Sequence, residues 1–290
     1  MTRLARTAFQ LGLLVAFVFV SRAEAEKLQE KTKEAWKNYE RFTEERIKAE
    51  LKNTAHFLRL DTMKDSEAKI ARSKIKSGEP YIEKMPATRD GKGQDIKVDN
   101  GLIHHWYGVI LIQNTKVEPL LHWIQDYDQT SKYFKPEVTQ SQLLPREAGD
   151  NADTFRLFLR LTRTKIITVN YKTWHMAVYQ RDGEGLASSS SHTTKIAELK
   201  DAGTPGEKEL PVENDSGYFW RLNSYWRFKQ EGNDVVVECE SISLSRGIPT
   251  MVSLLNMFTL GTIRGVIESL PRESLQNTLI SMRAGAPRTK

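Results

Sequence analysis

Residues 217–249 read GYFWRLNSYWRFKQEGNDVVVECESISLSRGIP. Two runs rich in aromatic and β-branched residues flank Gly232-Asn233, the composition of a two-residue hairpin turn. Such a turn pairs residues whose numbers sum to 465. Arg227 then faces Glu238 and Tyr225 faces Glu240 on one side of the ribbon. On the other side Phe228 meets Val237 and Trp226 meets Cys239. One face is charge-paired and the other aromatic or apolar. Arg227 and Glu238 are therefore expected to form a solvated ion pair on the outer face, contributing about 0–1 kcal/mol. Trp220, Leu222, Trp226 and Phe228 are expected to share the inner face.

A long apolar segment follows at once. Residues 248–263 contain no charged side chain. Met251, Leu254, Leu255, Met257, Phe258 and Leu260 wrap most of a helix circumference, whereas a surface helix shows a single apolar stripe. The helix is either buried lengthwise in a sheet or placed as a lid over a ligand space. Met251, Leu255 and Phe258 are the candidate lining residues on this helix, and its methionines offer adaptable packing. Pro271 is expected to interrupt the helix, with a further turn ending near Met282 and a disordered tail over 284–290.

Upstream, the pattern divides the chain. Residues 26–78 are rich in Lys, Glu, Arg and Ala and lack Pro and Gly until Gly78. Apolar residues at helical spacing predict one or two amphipathic helices, either packed on the domain behind them or acting as a partner-binding arm. Residues 79–283 form the main domain. Strands are expected near 81–85, 102–113, 137–146, 154–164, 166–180 and 186–199, with two short helices over 117–133.

The first 25 residues read as a signal peptide. Arg3 and Arg6 precede the apolar run Leu11–Val20, and Ala23-Glu24-Ala25 is a small-x-small cleavage site. The 290-residue chain has one cysteine, Cys239, so no intrachain disulfide can form. Export without disulfides points to a bacterial periplasm. The formal net charge of +6 falls by two when Arg3, Arg6, Arg22 and Glu24 are removed. That mild excess, without a basic aromatic patch, argues against a nucleic-acid partner.

The usual signatures of chemistry are missing. His104-His105 is not a metal pair, since adjacent strand side chains point to opposite faces. No HxH, HExxH or CxxC spacing occurs, so neither metal nor cofactor is expected. Ser188–Ser191 lacks the glycine pattern of a nucleophile elbow and reads as a thinly packed strand. Cys239 reads as a small buried hydrophobe.

Several phrases resemble an exported bacterial branch of the SRPBCC superfamily, also called START-like or Bet v 1-like and including polyketide cyclase-like proteins. They are GLIHHWYG (101–108), QDYDQTSKYFKPEV (125–138), FWRLNSYWRF (219–228), ECESISLSRGIP (238–249) and LPRESL (270–275). The resemblance covers residues 101–283 and implies an α+β helix-grip fold: a curved antiparallel sheet wrapped around a long C-terminal helix, here with an N-terminal helical extension. No catalytic residue transfers.

The expected function is non-catalytic binding or carriage of a hydrophobic or lipid-like molecule in the cell envelope, with membrane-surface contact. An aromatase/cyclase- or hydrolase-like enzyme is the alternative, and an interaction protein acting through its helical arm is a third reading. Candidate polar anchors or acid–base groups are His104, His105, Tyr107, Arg160, Tyr171 and His175. Two titratable groups facing inward within hydrogen-bond reach would favour the enzyme. A wholly apolar pocket would favour the carrier.

Overall fold

A computed structural model describes residues 30–86, 88–89, 94–96, 98–99, 101–164, 168–211, 214–247 and 260–288. The segment 1–25 and the candidate residues Met251, Leu255 and Phe258 lie outside the described residues.

Residues 30–51 form helix α1. Two 3-10 turns, Thr54–His56 and Arg59–Asp61, lead into α2 (Asp65–Lys76). Acidic residues Asp65 and Glu67 open α2 and Lys74 and Lys76 close it, matching the helix dipole. Gly78, at φ +89°, turns the chain out of it.

The strands follow. β1 (Tyr81–Lys84) and the two-residue strands β2 (Thr88–Arg89) and β3 (Gln94–Asp95) precede β4 (Gly101–Ile112). Helix α3 (Val117–Gln125), the 3-10 turn Tyr127–Gln129 and α4 (Thr130–Tyr133) come next. The chain then runs through β5 (Val138–Leu144), β6 (Thr154–Thr164), β7 (Thr168–Gly183) and β8 (Leu186–Lys200). β9 (Lys208–Glu209), β10 (Arg221–Glu231), β11 (Asp234–Arg246) and helix α5 (Leu260–Gly285) complete it.

One antiparallel sheet has the order β1-β4-β11-β10-β8-β7-β6-β5, with β9 paired to β8. With α5 across its inner face this is the helix-grip arrangement that the resemblance implied. The β10–β11 register is the expected one, with Arg227 opposite Glu238 and Trp226 opposite Cys239.

On the inner face α5 rests on β4. A Cβ at Gly108 would come within 2.7 Å of the Leu279 side-chain tip and 3.0 Å of that of Leu275, so the helix packs closely on the strand here. Pro271 does not interrupt the helix, which is continuous from Leu260 to Gly285. Past 283, Ala286 is buried with Met282 in the main core.

The outer face is not solvated. Phe57, Leu58, Leu60, Ala71 and Ile75 pack on Tyr107, Val109, Leu111 and Val236. Trp36, Tyr39 and Ile47 pack on Tyr225, Ile242 and Leu244. The helical extension is thus a third layer on the sheet. It meets polar strand residues with polar groups. Glu238 accepts hydrogen bonds from the backbone N–H groups of Arg59 and Leu60, both at 2.8 Å, and from the Tyr107 hydroxyl. Arg227 donates to the Phe57 carbonyl at 3.1 Å and pairs with Glu50. Arg46 reaches Glu240 at 2.6 Å.

The expected solvated pair of Arg227 and Glu238 is therefore corrected. Both are under 5% exposed, because the extension covers them. Burial pushes the Glu238 carboxyl up to about 7. Burial opposes ionisation of Glu240 too, but the hydrogen bond from His105 and the charge of Arg46 hold it well below the usual carboxylate range.

Removing one partner of a buried charge network strands the others. Arg227→Ala is expected to destabilise the protein by about 3–5 kcal/mol in urea unfolding, where a solvated pair would cost at most about 1 kcal/mol. A loss below about 1 kcal/mol would show that the extension does not bury this network.

Candidate functional site

Alternation along β10 is inverted from the ordinary pattern. Asn223, Tyr225 and Arg227 are buried under the extension, while Leu222, Ser224 and Trp226, facing α5, are partly accessible. Accessible side chains on the covered face of a central strand mean a hollow. A cavity of about 300 Å³ lies there, between the sheet and α5. That is the lower end of the range for small-molecule sites.

The hollow follows from side-chain volume. Ala177, Ser191, Ser224 and Ser241 are successive cross-strand neighbours on β7, β8, β10 and β11, and all four line the cavity. In the adjacent row Tyr179, Ser189, Trp226 and Cys239 do the same. Small residues at mid-sheet cannot reach a helix held up by β4 on one side. On the other side α5 is tied to the β5–β6 end: Asn277 donates to Glu137 at 2.8 Å, and Arg163 contacts both Glu137 and Ser274. The apolar walls include Leu157, Leu159 and Leu161 of β6, Phe228 of β10 and Leu275 and Met282 of α5.

Polar groups interrupt these walls. The Tyr127 and Tyr179 hydroxyls are 2.8 Å apart. Nε2 of His175 lies 2.9 Å from the Thr173 hydroxyl. Burial pushes the His175 imidazole down to about 4 and the Tyr179 phenol up to about 12. Burial likewise holds the Tyr127 and Tyr171 phenols well above their ordinary value. It lowers Arg163 to about 10, which leaves the guanidinium charged at neutral pH.

Of the residues singled out from sequence, Leu222, Trp226, Phe228, Tyr171 and His175 line the cavity. Trp226 and Phe228 stack at 6.5 Å between ring centroids. Trp220 does not join them. It packs on the outer-face cluster, and its indole N–H is bound by Asp215.

His104 and His105 do point to opposite faces, but neither reaches the cavity. His104 meets the Ser245 hydroxyl at 2.9 Å. His105 lies beneath the extension, where Nδ1 accepts from Tyr39 at 2.6 Å and Nε2 donates to Glu240 at 3.0 Å. Tyr107 faces the same layer through Glu238. Arg160 points away from the cavity to Glu207, at 2.5 Å, whereas Arg163 on the same strand lines it.

Sequence reasoning missed Arg163, Tyr127, Tyr179 and the small-residue row of Ala177, Ser191, Ser224 and Ser241. The run Ser188–Ser191 was the available signal: its alternate members Ser189 and Ser191 face the cavity.

No family model matches the sequence, and no curated protein matches it either. Solved structures similar to the chain include the Zhui aromatase/cyclase from Streptomyces sp. R1128, at 9% identity and a TM-score of 0.43, covering 64% of this chain and 94% of that one. A STAR-related lipid transfer protein from Xanthomonas axonopodis matches at 13% identity and a TM-score of 0.38, covering 63% and 95%. Human STARD10 matches at 9% identity and a TM-score of 0.41, covering 76% and 80%. The likeness is one of fold alone.

The buried imidazole has a stability consequence. The unfolded chain protonates His175 near pH 6.5, and the folded chain only near 4. Stability conferred by the neutral ring is full above pH 6.5 and is lost as pH falls toward 4, on the order of 3 kcal/mol. Glu238, raised to about 7, works in the opposite sense as pH falls from 7 to 4.5. His175→Gln should therefore flatten the loss of stability between pH 6.5 and 4 in thermal melts. An unchanged pH profile would place the ring in contact with solvent.

Proposed function

We propose that the protein binds an apolar small molecule reversibly in this cavity, without transforming it. One observation carries the reading. The space is walled mainly by apolar side chains, and burial moves His175 and the phenols of Tyr127, Tyr171 and Tyr179, which line it, away from neutral pH. General acid–base catalysis works best with a group whose pKa lies near the operating pH. Here His175 is displaced downward and the phenols upward. The pocket is not wholly apolar, and the Tyr127–Tyr179 contact does place two titratable groups within hydrogen-bond reach. Both are held as protonated phenols, suited to hydrogen bonding with a ligand rather than to proton transfer.

Burial of apolar ligand surface supplies roughly 25 cal/mol per Å², so a filled cavity gives useful affinity without a charged anchor. A role as an interaction arm is less favoured, because Trp36, Tyr39 and Ile47 of α1 and Ala71 and Ile75 of α2 are spent on packing against the sheet.

The N-terminal Arg3–Ala25 pattern supports action in the cell envelope after export. Exchange of the ligand at a membrane surface belongs to the same proposal. Among the described residues no helix is long and apolar enough to cross a membrane.

The wild-type protein is expected to take up the neutral dye Nile red with a blue-shifted emission. Ser241→Leu puts a larger side chain into the centre of the hollow and should weaken uptake about tenfold or more, with little loss in thermal unfolding. Absence of uptake by the wild type would sink the binding reading. Uptake unaffected by Ser241→Leu would place the dye elsewhere.

A further inference from the structure

Tyr127 and Tyr179 bring two phenolic oxygens to 2.8 Å in the cavity wall. Tyr127 comes from the turn after α3 and Tyr179 from β7. They are 8% and 4% exposed. Phe155 lies against both rings, at 5.8 and 5.5 Å between centroids, which restricts their orientation. Ser189 faces Tyr179 across the strands and lines the same space.

The protons of this cluster can be counted. Each hydroxyl has one proton to donate and two lone pairs to accept with. In an open chain of hydroxyls every link uses one proton, so one proton is always left over. Two phenols joined by one link leave one donor. Adding Ser189 as a further link gives three protons and two links, and the remainder is again one. Apart from Ser189, no further side chain is bonded to either phenol among the described residues. A buried donor without an acceptor is costly, and the open side of this cluster is the cavity. Burial keeps both phenols protonated at neutral pH, so the surplus donor is permanent.

We infer that Tyr127, Tyr179 and Ser189 form a hydrogen-bond-donating subsite, and that the ligand is an apolar molecule carrying a neutral acceptor oxygen of the ketone, ester or alcohol class. The inference rests on the binding reading above and adds the ligand's chemistry to it. A carboxylate end is disfavoured at this subsite. A buried anion needs a partner cation, and the lining cations Lys135 and Arg163 belong to the β5–β6 end of the sheet, Arg163 pairing with Val169, ten residues from Tyr179 on β7. That guanidinium is also already in contact with Glu137.

The test uses three compounds of one shape, ethylnaphthalene, acetylnaphthalene and naphthoate, displacing Nile red from the full chain. Acetylnaphthalene should act at roughly three- to tenfold lower concentration than ethylnaphthalene, the worth of one net hydrogen bond, with naphthoate weakest. The double variant Tyr127→Phe/Tyr179→Phe replaces both phenols by rings of the same shape and leaves Ser189 as the one hydroxyl of the subsite. It should bring the ketone-to-hydrocarbon ratio most of the way toward one. Each single variant still leaves one phenolic proton and should keep part of the advantage.

Equal displacement by ketone and hydrocarbon from the wild type overturns the subsite while leaving cavity binding intact. A ketone-to-hydrocarbon ratio unchanged in the double variant overturns it as well. If the double variant does not fold, the wild-type ratio together with the two single variants decides. A wild type that takes up neither the dye nor any naphthalene removes the cavity reading itself, and this inference with it.

Discussion

Everything in this molecule depends on where the central hairpin puts its charges. β10 and β11 place Arg227, Glu238 and Glu240 on the face turned away from α5. An ionised group in a protein interior must be paired and hydrogen-bonded, or it shifts toward its neutral form. The N-terminal extension supplies what is needed: two consecutive backbone N–H groups at Arg59 and Leu60, the carbonyl of Phe57, and Glu50 and Arg46. The extension is consequently not an appendage. The same residues that dock it make the outer face a well-satisfied interior, with Phe57, Leu58 and Leu60 almost wholly enclosed. That firm side leaves the inner face free to be hollow.

Much of the fold was legible because it rests on local rules. The Gly232-Asn233 turn has a fixed length, so the register of β10 on β11 follows from arithmetic, and all four expected pairs occur. Strand positions were legible from residue type and turn punctuation. Period-two alternation shows that a strand has two different faces. It does not say which face meets water, because that depends on segments far away in sequence. Arg227 and Glu238 were misread for this reason: their cover comes from residues more than 160 positions upstream. Trp220 has the same parity as Trp226, but it precedes β10, whose first residue is Arg221. Parity fails outside the ladder.

The site was less legible than the fold. A cavity is an absence of side-chain volume, and sequence patterns record presence. Aromatic and titratable residues attract attention, whereas Ser191, Ser224, Ser241 and Ala177 make the space by being small. Each is unremarkable in its own strand, and only the pairing across four strands shows that they form a row. His104 and His105 illustrate the converse. Their chemistry is conspicuous, yet it is spent on Ser245, Tyr39 and Glu240, away from the cavity. The polar residues that do border the space were chosen by parity alone: Arg163 rather than Arg160, and Tyr179 beside Tyr171.

A hollow of this size has an energetic consequence that bears on function. Side chains that border a hollow lack the packing contacts that a solid core would give them. A solid alternative is easily reached, since Leu or Val at positions 224 or 241 would fill the gap at no cost in strand propensity. The chain instead carries serine at both. The rest of the fold, the outer layer above all, must supply the compensating stability. Filling the cavity with an apolar molecule recovers part of that cost. Stability and affinity are then two views of one quantity: the packing that the inner face lacks until a ligand provides it.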